Sequence, residues 1–156
     1  MDNKETESLI TNDNYSQYIS GNGSILVGNY DIYAHPNWKH FYNVELKSMN
    51  RNIDVDNGYS VKGVFEDNKF RMFCDSTFNE VVFKDCVFDR TNIESCRFIN
   101  CKFINCSGNI IFAYNTIFKR CIFTNTHIKV VRVGSKPMYF KSKKYYENDY
   151  FNLYLK

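Results

Sequence analysis

An all-β solenoid is expected from three features of this 156-residue chain: a large apolar residue returning every five positions, a small residue two places before most of them, and an aromatic-rich, proline-poor composition. The series runs Phe73, Phe78, Phe83, Phe88, Ile93, Phe98, Phe103, Gly108, Ala113, Phe118, Phe123, Ile128 and Val133, and eleven of these thirteen are large and apolar. Two places earlier stand Arg71, Ser76, Val81, Cys86, Thr91, Cys96, Cys101, Cys106, Ile111, Thr116, Cys121, Thr126 and Val131, most of them small. A helix repeats at about 3.6 residues and a strand at about 2, so neither alone brings such a series to one side. A strand with regular corners does. The 14 Phe and 12 Tyr, set against 2 Pro, suit strands on which rings stack.

These residues resemble the pentapeptide-repeat family, in which Leu or Phe is central and Ala, Cys, Ser, Thr or Val lies two places before it. The resemblance covers residues 71–133. It implies a right-handed quadrilateral β-helix with four pentapeptides per coil, hence about three coils in which residues twenty apart stack. On that geometry Phe78, Phe98 and Phe118 form one ladder and Phe83, Phe103 and Phe123 another, with rungs about 4.8 Å apart. The remaining columns, Phe73, Ile93, Ala113, Val133 and Phe88, Gly108, Ile128, lose volume at Gly108 and Ala113. Close packing does not tolerate such a gap, so Ile110, Ile111 or Phe112 should turn inward or the backbone should bulge.

Three segments follow: residues 1–68 as an N-terminal cap or cover, 69–133 as the β-helix, and 134–156 as a C-terminal capping or dimerising helix. Within the first, residues 1–14 are polar enough for disorder, and residues 15–34 read as a hairpin with a Gly-Asn-Gly turn. Val44, Leu46, Ile53, Val55, Val61 and Val64 lack the period of five, so the stretch from 38 to 65 is expected to cap or flank the first coil. At the other end Tyr146, Tyr150, Leu153 and Tyr154 have helical spacing, which predicts an amphipathic helix over 143–156 covering the exposed rim.

Charge divides the chain. Residues 1–68 hold ten acidic and five basic side chains, residues 69–156 seven and fifteen, so an anionic partner prefers the second half. With no leader-like N-terminus and no apolar run long enough to span a bilayer, a cytoplasmic protein without membrane association is expected. Its six cysteines are then reduced thiols. Cys86, Cys96, Cys101, Cys106 and Cys121 occupy the small inward position at spacings of five or its multiples, whereas zinc sites usually close ligand pairs across about two to four residues. Cys74, out of phase, is expected to point outward and to be the reactive thiol.

Catalytic motifs are missing. His35, His40 and His127 accompany no recognisable nucleophile, and HPNWKH lacks the spacing and glutamate of a zinc-protease helix. Gly21, Gly23 and Gly28 are followed by no Lys-Ser or Lys-Thr. Asp75, Glu80, Asp85 and Asp89 read as a solvated face. A protein that is not an enzyme, with no cofactor or metal, is the expectation.

Function then lies outside the core. Val82, Ile99, Ile104, Ile117 and Ile122 are expected to point out as an apolar patch, covered either by residues 15–65 or by a second chain, with Arg97, Lys102, Lys119 and Arg120 beside it. These nine are the expected partner-binding residues; Lys129, Arg132, Lys141, Lys143 and Lys144 extend the basic zone. The leading reading is a non-catalytic protein that docks a protein partner, with a homodimer as one form of it. A composition rich in Asn, Ile, Lys and Tyr points to an AT-rich genome, and so to a phage- or virus-encoded inhibitor of a host enzyme or defence complex, acting in the host cytoplasm. The alternative is nucleic-acid binding through the basic half. The resemblance also implies DNA mimicry directed at gyrase, but the repeat body is net positive and only Asp75, Glu80, Asp85, Asp89 and Glu94 supply an acidic strip.

Overall fold

The large residues of the fivefold series from Phe78 to Phe118 turn inward and are buried, with Gly108 the interruption. The structure is a computed structural model that describes residues 4–19, 21, 23–26, 38–57, 61–145 and 153–156. Its strands are β1 (Lys4–Thr11), β2 (Ile25–Leu26), β3 (Trp38–Lys47), β4 (Asn52–Asp56), β5 (Val61–Glu66), β6 (Lys69–Cys74), β7 (Thr77–Lys84), β8 (Val87–Glu94) and β9 (Arg97–Ile99). They continue with β10 (Lys102–Ile104), β11 (Ser107–Tyr114), β12 (Thr116–Lys119), β13 (Ile122–Thr124), β14 (His127–Val130), β15 (Met138–Phe140), β16 (Lys143–Tyr145) and β17 (Leu153–Leu155).

One sheet runs β1-β3-β5-β7-β9-β12-β15-β16, with β10 joining β7 to β13; the other runs β17-β14-β11-β8-β6-β4-β2. The chain passes from one sheet to the other and adds a row to each as it goes, giving an all-β solenoid of about five turns, more than the three expected. The extra turns come from residues 38–74. Phe65 lies opposite Phe83, Ile53 opposite Phe70, and Leu46 opposite Phe65. These offsets of 18, 17 and 19 residues fall short of the 20 that separates Phe78 from Phe98. A period of five cannot persist through turns of unequal length.

Both phenylalanine ladders form. Phe78, Phe98 and Phe118 stack with centroids 5.0 and 4.7 Å apart. The second ladder starts one rung lower than expected, at Phe65, and continues through Phe83, Phe103 and Phe123 at 5.3, 4.8 and 4.7 Å. Phe140 closes both, 6.1 Å from Phe118 and 5.4 Å from Phe123. Burying each ring contributes about 1.5–3 kcal/mol, so the ladders are the chief apolar support of the fold.

Small inward residues do more than save space. Cys86 Sγ donates to Phe65 O at 3.2 Å, Cys101 Sγ to Phe78 O at 3.3 Å, Cys106 Sγ to Phe83 O at 3.2 Å and Cys121 Sγ to Phe98 O at 3.1 Å. Thr91 and Thr126 do the same with their hydroxyls, to Phe70 O at 2.6 Å and Phe103 O at 2.9 Å. A short side chain with one proton to donate thus ties a turn to the one below it.

The corners need a left-handed backbone, and many are occupied by the residues that tolerate it. Asn57, Asp67, Asp75, Asp85, Asn100, Asn105, Asn115 and Asn125 all have φ between 45° and 55°. Two glycines meet a stricter demand. A Cβ on Gly63 (φ +122°) would sit 2.0 Å from Val44 O, and one on Gly108 (φ +119°) 2.1 Å from Phe88 O. The volume missing at Gly108 is recovered by both expected routes: the pairing of β11 with β8 is irregular on either side of Ile110, and Ile110 turns inward opposite Thr91 and Val130. Ile111 is left exposed, as is Val131, so neither holds the inward place that the period assigns it. Arg71 departs similarly. It is exposed and forms a bidentate ion pair with the buried carboxylate of Asp54, while Phe70 takes the inward site.

The termini differ from expectation. Lys4–Thr11 is a strand, paired in parallel with β3, where disorder was anticipated; the edge of the sheet offers its backbone groups partners. Tyr15–Tyr18 is a 3-10 turn, and an antiparallel bridge joins Ile19 to Ile25; Gly28 and the rest of the expected hairpin up to Ala34 lie outside the described residues. No helix forms over Lys143–Tyr145 or Leu153–Leu155. β16 turns back antiparallel on β15, and β17 lies antiparallel on β14, so the rim is covered by strands that satisfy its backbone hydrogen bonds directly. Tyr146 and Tyr150 are outside the described residues.

Candidate interaction surface

With Phe98, Phe103, Phe118 and Phe123 facing inward, the alternation of a strand sends their neighbours outward. Parallel pairing then stacks those neighbours in columns. Arg97 lies opposite Ile117, which lies opposite Tyr139; Val82 opposite Lys102 and then Ile122; Lys84 opposite Ile104 and then Thr124; Ile99 opposite Lys119. Eight of the nine residues expected to bind a partner therefore lie on the outside of the first sheet: Ile99, Ile117, Arg97 and Lys119 on the β9–β12 side of the corner at Asn100 and Arg120, and Val82, Ile104, Ile122 and Lys102 on the β10–β13 side. Arg120, the ninth, stands on the adjoining corner, where its Nε donates to Asn100 Oδ1 at 2.8 Å. Lys129 and Arg132 belong to the other side of the solenoid, where the Arg132 guanidinium lies 4.7 Å from the centre of the Phe112 ring.

The face is a chequer of aliphatic and cationic side chains. Ile122 is 57% exposed and Tyr139 38%, while Val82, Ile99, Ile104 and Ile117 are half-buried. Lys and Arg stand next to them in register, and the methylene stems of such side chains suit apolar neighbours while their charged ends reach water. None of the described elements is laid over the face; β3 to β5 continue the solenoid in line beneath it, so the described part of residues 15–65 is not its cover.

Its charge is one-sided. From residue 95 to residue 146 there is no Asp or Glu, against ten Lys and Arg. Ion pairs among the described residues join Lys47 to Glu66, Arg71 to Asp54 and Arg90 to Asp89, all earlier in the chain. The corners change with the same boundary. In one corner column Asp67 and Asp85 are followed by Asn105 and Asn125, with Asn125 Nδ2 donating to Asn105 Oδ1 at 2.8 Å. Since Asp and Asn both tolerate the left-handed backbone, the fold does not require that exchange. The acidic corners Asp75 and Asp85 lie in different columns, so the first-coil carboxylates run around the solenoid rather than along it.

Among the described residues one trio of potential metal ligands converges, Asp56, Cys74 and Asp75. Burial and then the Asp75, Asp56 and Glu94 charges push the Cys74 thiol up to about 12, so it is protonated at neutral pH. Cys74 is half-exposed as expected, but this protonation removes the reactivity that exposure implied. Burial also raises the Asp56 carboxyl. Cys86, Cys96, Cys101 and Cys106 are buried and Cys121 partly so, all as free thiols. Of the histidines, His127 lies exposed on β14, His40 contributes backbone to β3, and His35 is outside the described residues.

Val64 and Tyr139 also belong to the chequered face and were not picked out from the sequence. Val64 sits in a turn without the period of five, while Tyr139 lies within the segment 134–156 that was assigned to a cap. The carboxylate-free run was itself a readable signal.

Stacked parallel turns place the molecule among β-solenoid proteins. Compared with family models, curated proteins and solved structures, the chain matches none. No helix among the described residues is long and apolar enough to cross a membrane.

Proposed function

We propose that this chain is a non-catalytic docking protein that receives a protein partner on the outer face of its first sheet. The carrying observation is the chequer itself: β-branched aliphatic residues alternate with Arg97, Lys102 and Lys119 on a sheet surface that no described element covers, where interaction rather than packing accounts for the apolar side chains. The inward hydroxyls and thiols support the reading from the other side, since they are engaged with backbone carbonyls. The offset of twenty residues in the upper turns, with Cys or Thr two places before Phe, supports assignment to the pentapeptide-repeat class with its right-handed quadrilateral coil. A phage- or virus-encoded inhibitor working in a host cytoplasm fits such a docking role.

The test is affinity capture from cell lysate with the wild type, with Ile99→Glu/Ile117→Glu on the first sheet, and with Lys129→Glu on the second. A protein retained by wild type and Lys129→Glu but lost by the double variant supports the reading; capture indifferent to the first sheet overturns it. Nucleic-acid binding is the second reading, favoured by the carboxylate-free run, and nuclease treatment that releases the captured material would establish it. Light scattering on wild type and on Ile104→Glu and Ile122→Glu decides whether the partner is a second copy.

A further inference from the structure

Resting on that docking site, the charge pattern specifies what it takes: we infer that the partner presents an acidic protein surface with apolar side chains set between its carboxylates. Three observations carry this. Arg97, Lys102 and Lys119 each lie opposite an aliphatic residue and form no ion pair among the described residues, so an incoming carboxylate meets a cation with no internal competitor. Ile117, opposite Arg97, and Ile122, opposite Lys102, supply apolar contact beside those cations. The Asp-to-Asn change at the corners, for which the fold has no need, removes carboxylates from the borders of the same surface.

Other occupants fit less well. Two copies meeting through a two-fold axis would press together two surfaces whose upper rows carry no carboxylate, leaving Arg97, Lys102 and Lys119 of each without an anionic partner. Single-stranded nucleic acid uses exposed aromatic rings, and among the residues whose side chains are described this surface offers Tyr139 alone, its remaining apolar residues there being aliphatic. About eight residues, measured across the corner at Asn100 and Arg120, and four rows give roughly 500 Å², and the corner side chains bring this towards the ~800 Å² per side of an ordinary protein interface.

The test measures binding of three probes by fluorescence anisotropy: a random copolymer of Glu and Tyr, poly-glutamate of equal length, and a short DNA duplex. The copolymer should bind about tenfold more tightly than poly-glutamate. Ile99→Ser/Ile117→Ser should erase that advantage and leave poly-glutamate binding unchanged. Lys102→Glu/Lys119→Glu should abolish both. These positions point outward, and circular dichroism and a thermal melt confirm that each variant is folded; Ile122→Ser, at the most exposed position, provides an independent check. Tighter binding of the duplex, unaffected by the isoleucine changes, overturns the inference in favour of nucleic acid, and failure of all three probes also overturns it. A captured protein that needs the first sheet but presents a neutral or basic surface leaves the docking site standing and removes the acidic partner. Capture that ignores the first sheet removes the docking site itself.

Discussion

The turns below Phe78 and those above it solve the same problem with different sequences. Above, twenty residues make a turn, Cys or Thr donates to a carbonyl of the previous turn, and phenylalanines stack nearly face to face, at 4° between Phe83 and Phe103. Below, turns of 17 to 19 residues pair irregularly around Ile53 and Val61, and a glycine with positive φ lets β5 approach β3. Asn68, buried, stitches this region together by donating to Leu46 O at 2.9 Å and accepting from Met49 N at 3.0 Å. The difference teaches that the period of five is one way of making a turn. What the sheets require is register, a filled interior and a corner residue that accepts positive φ.

The largest effect that can break this comparison is truncation of a ladder rung. Phe103→Ala in the upper turns and Phe65→Ala in the lower should each cost about 3–5 kcal/mol in urea denaturation, with one transition for both if the two regions form a single cooperative unit. Two separate transitions would show that the regions fold independently. Gly63→Ala comes next, at about 1–3 kcal/mol from backbone strain, with a further penalty for the contact with Val44; the same change at Gly21, where the structure leaves open space, should be nearly silent. Thr91→Val keeps shape but strips the proton from the bond to Phe70 O, and should cost about 1–2 kcal/mol.

Alkali should sharpen the contrast. Burial raises the Cys96 thiol from 9.0 to about 12, as it does Cys74. The folded protein then holds protons that the unfolded chain releases, so these thiols contribute a stability that is constant below about pH 9 and falls between there and about pH 12. Cys96→Ala should flatten that fall. Asp75→Asn removes a negative charge beside Cys74, lowers its pKa and speeds its alkylation at pH near 9, whereas Cys96 in its buried place should hardly respond. The smallest effect is expected at the corners: Asn105→Asp should change stability by less than about 0.5 kcal/mol, because either residue accepts the left-handed backbone.

Much of the upper region was legible because each inward position has one physical requirement. Phenylalanine fills the column, Cys or Thr fits beside it, and the interruption at Gly108 announced a bulge. The lower turns were not legible from a fixed period: Phe65 and Phe70 are as buried as Phe103, yet a shorter turn and the outward Arg71 displace them from the series. At the C-terminus, Leu153 and Tyr154 satisfy helical and extended spacing alike, and it was the unpaired backbone of β14 that decided for a strand. Eight of the nine candidate surface residues could be placed on the outside of one sheet because alternation about a known inward phenylalanine settles their direction. Which of them stack on which depended on register, and that on counting residues per turn correctly.

Because β1 forms one end of the stack and β16 and β17 close the other, a pull on the two termini is directed along the solenoid axis and therefore along the hydrogen bonds that join the rows. Such a load opens bonds in succession rather than shearing a whole strand at once, so the molecule should yield at low force in a staircase. Each upper turn of twenty residues would release roughly 65–70 Å of chain, and a lower turn of seventeen roughly 60 Å. The unequal turns are in this sense a length code, and an optical-trap record of the unfolding steps would read them in order.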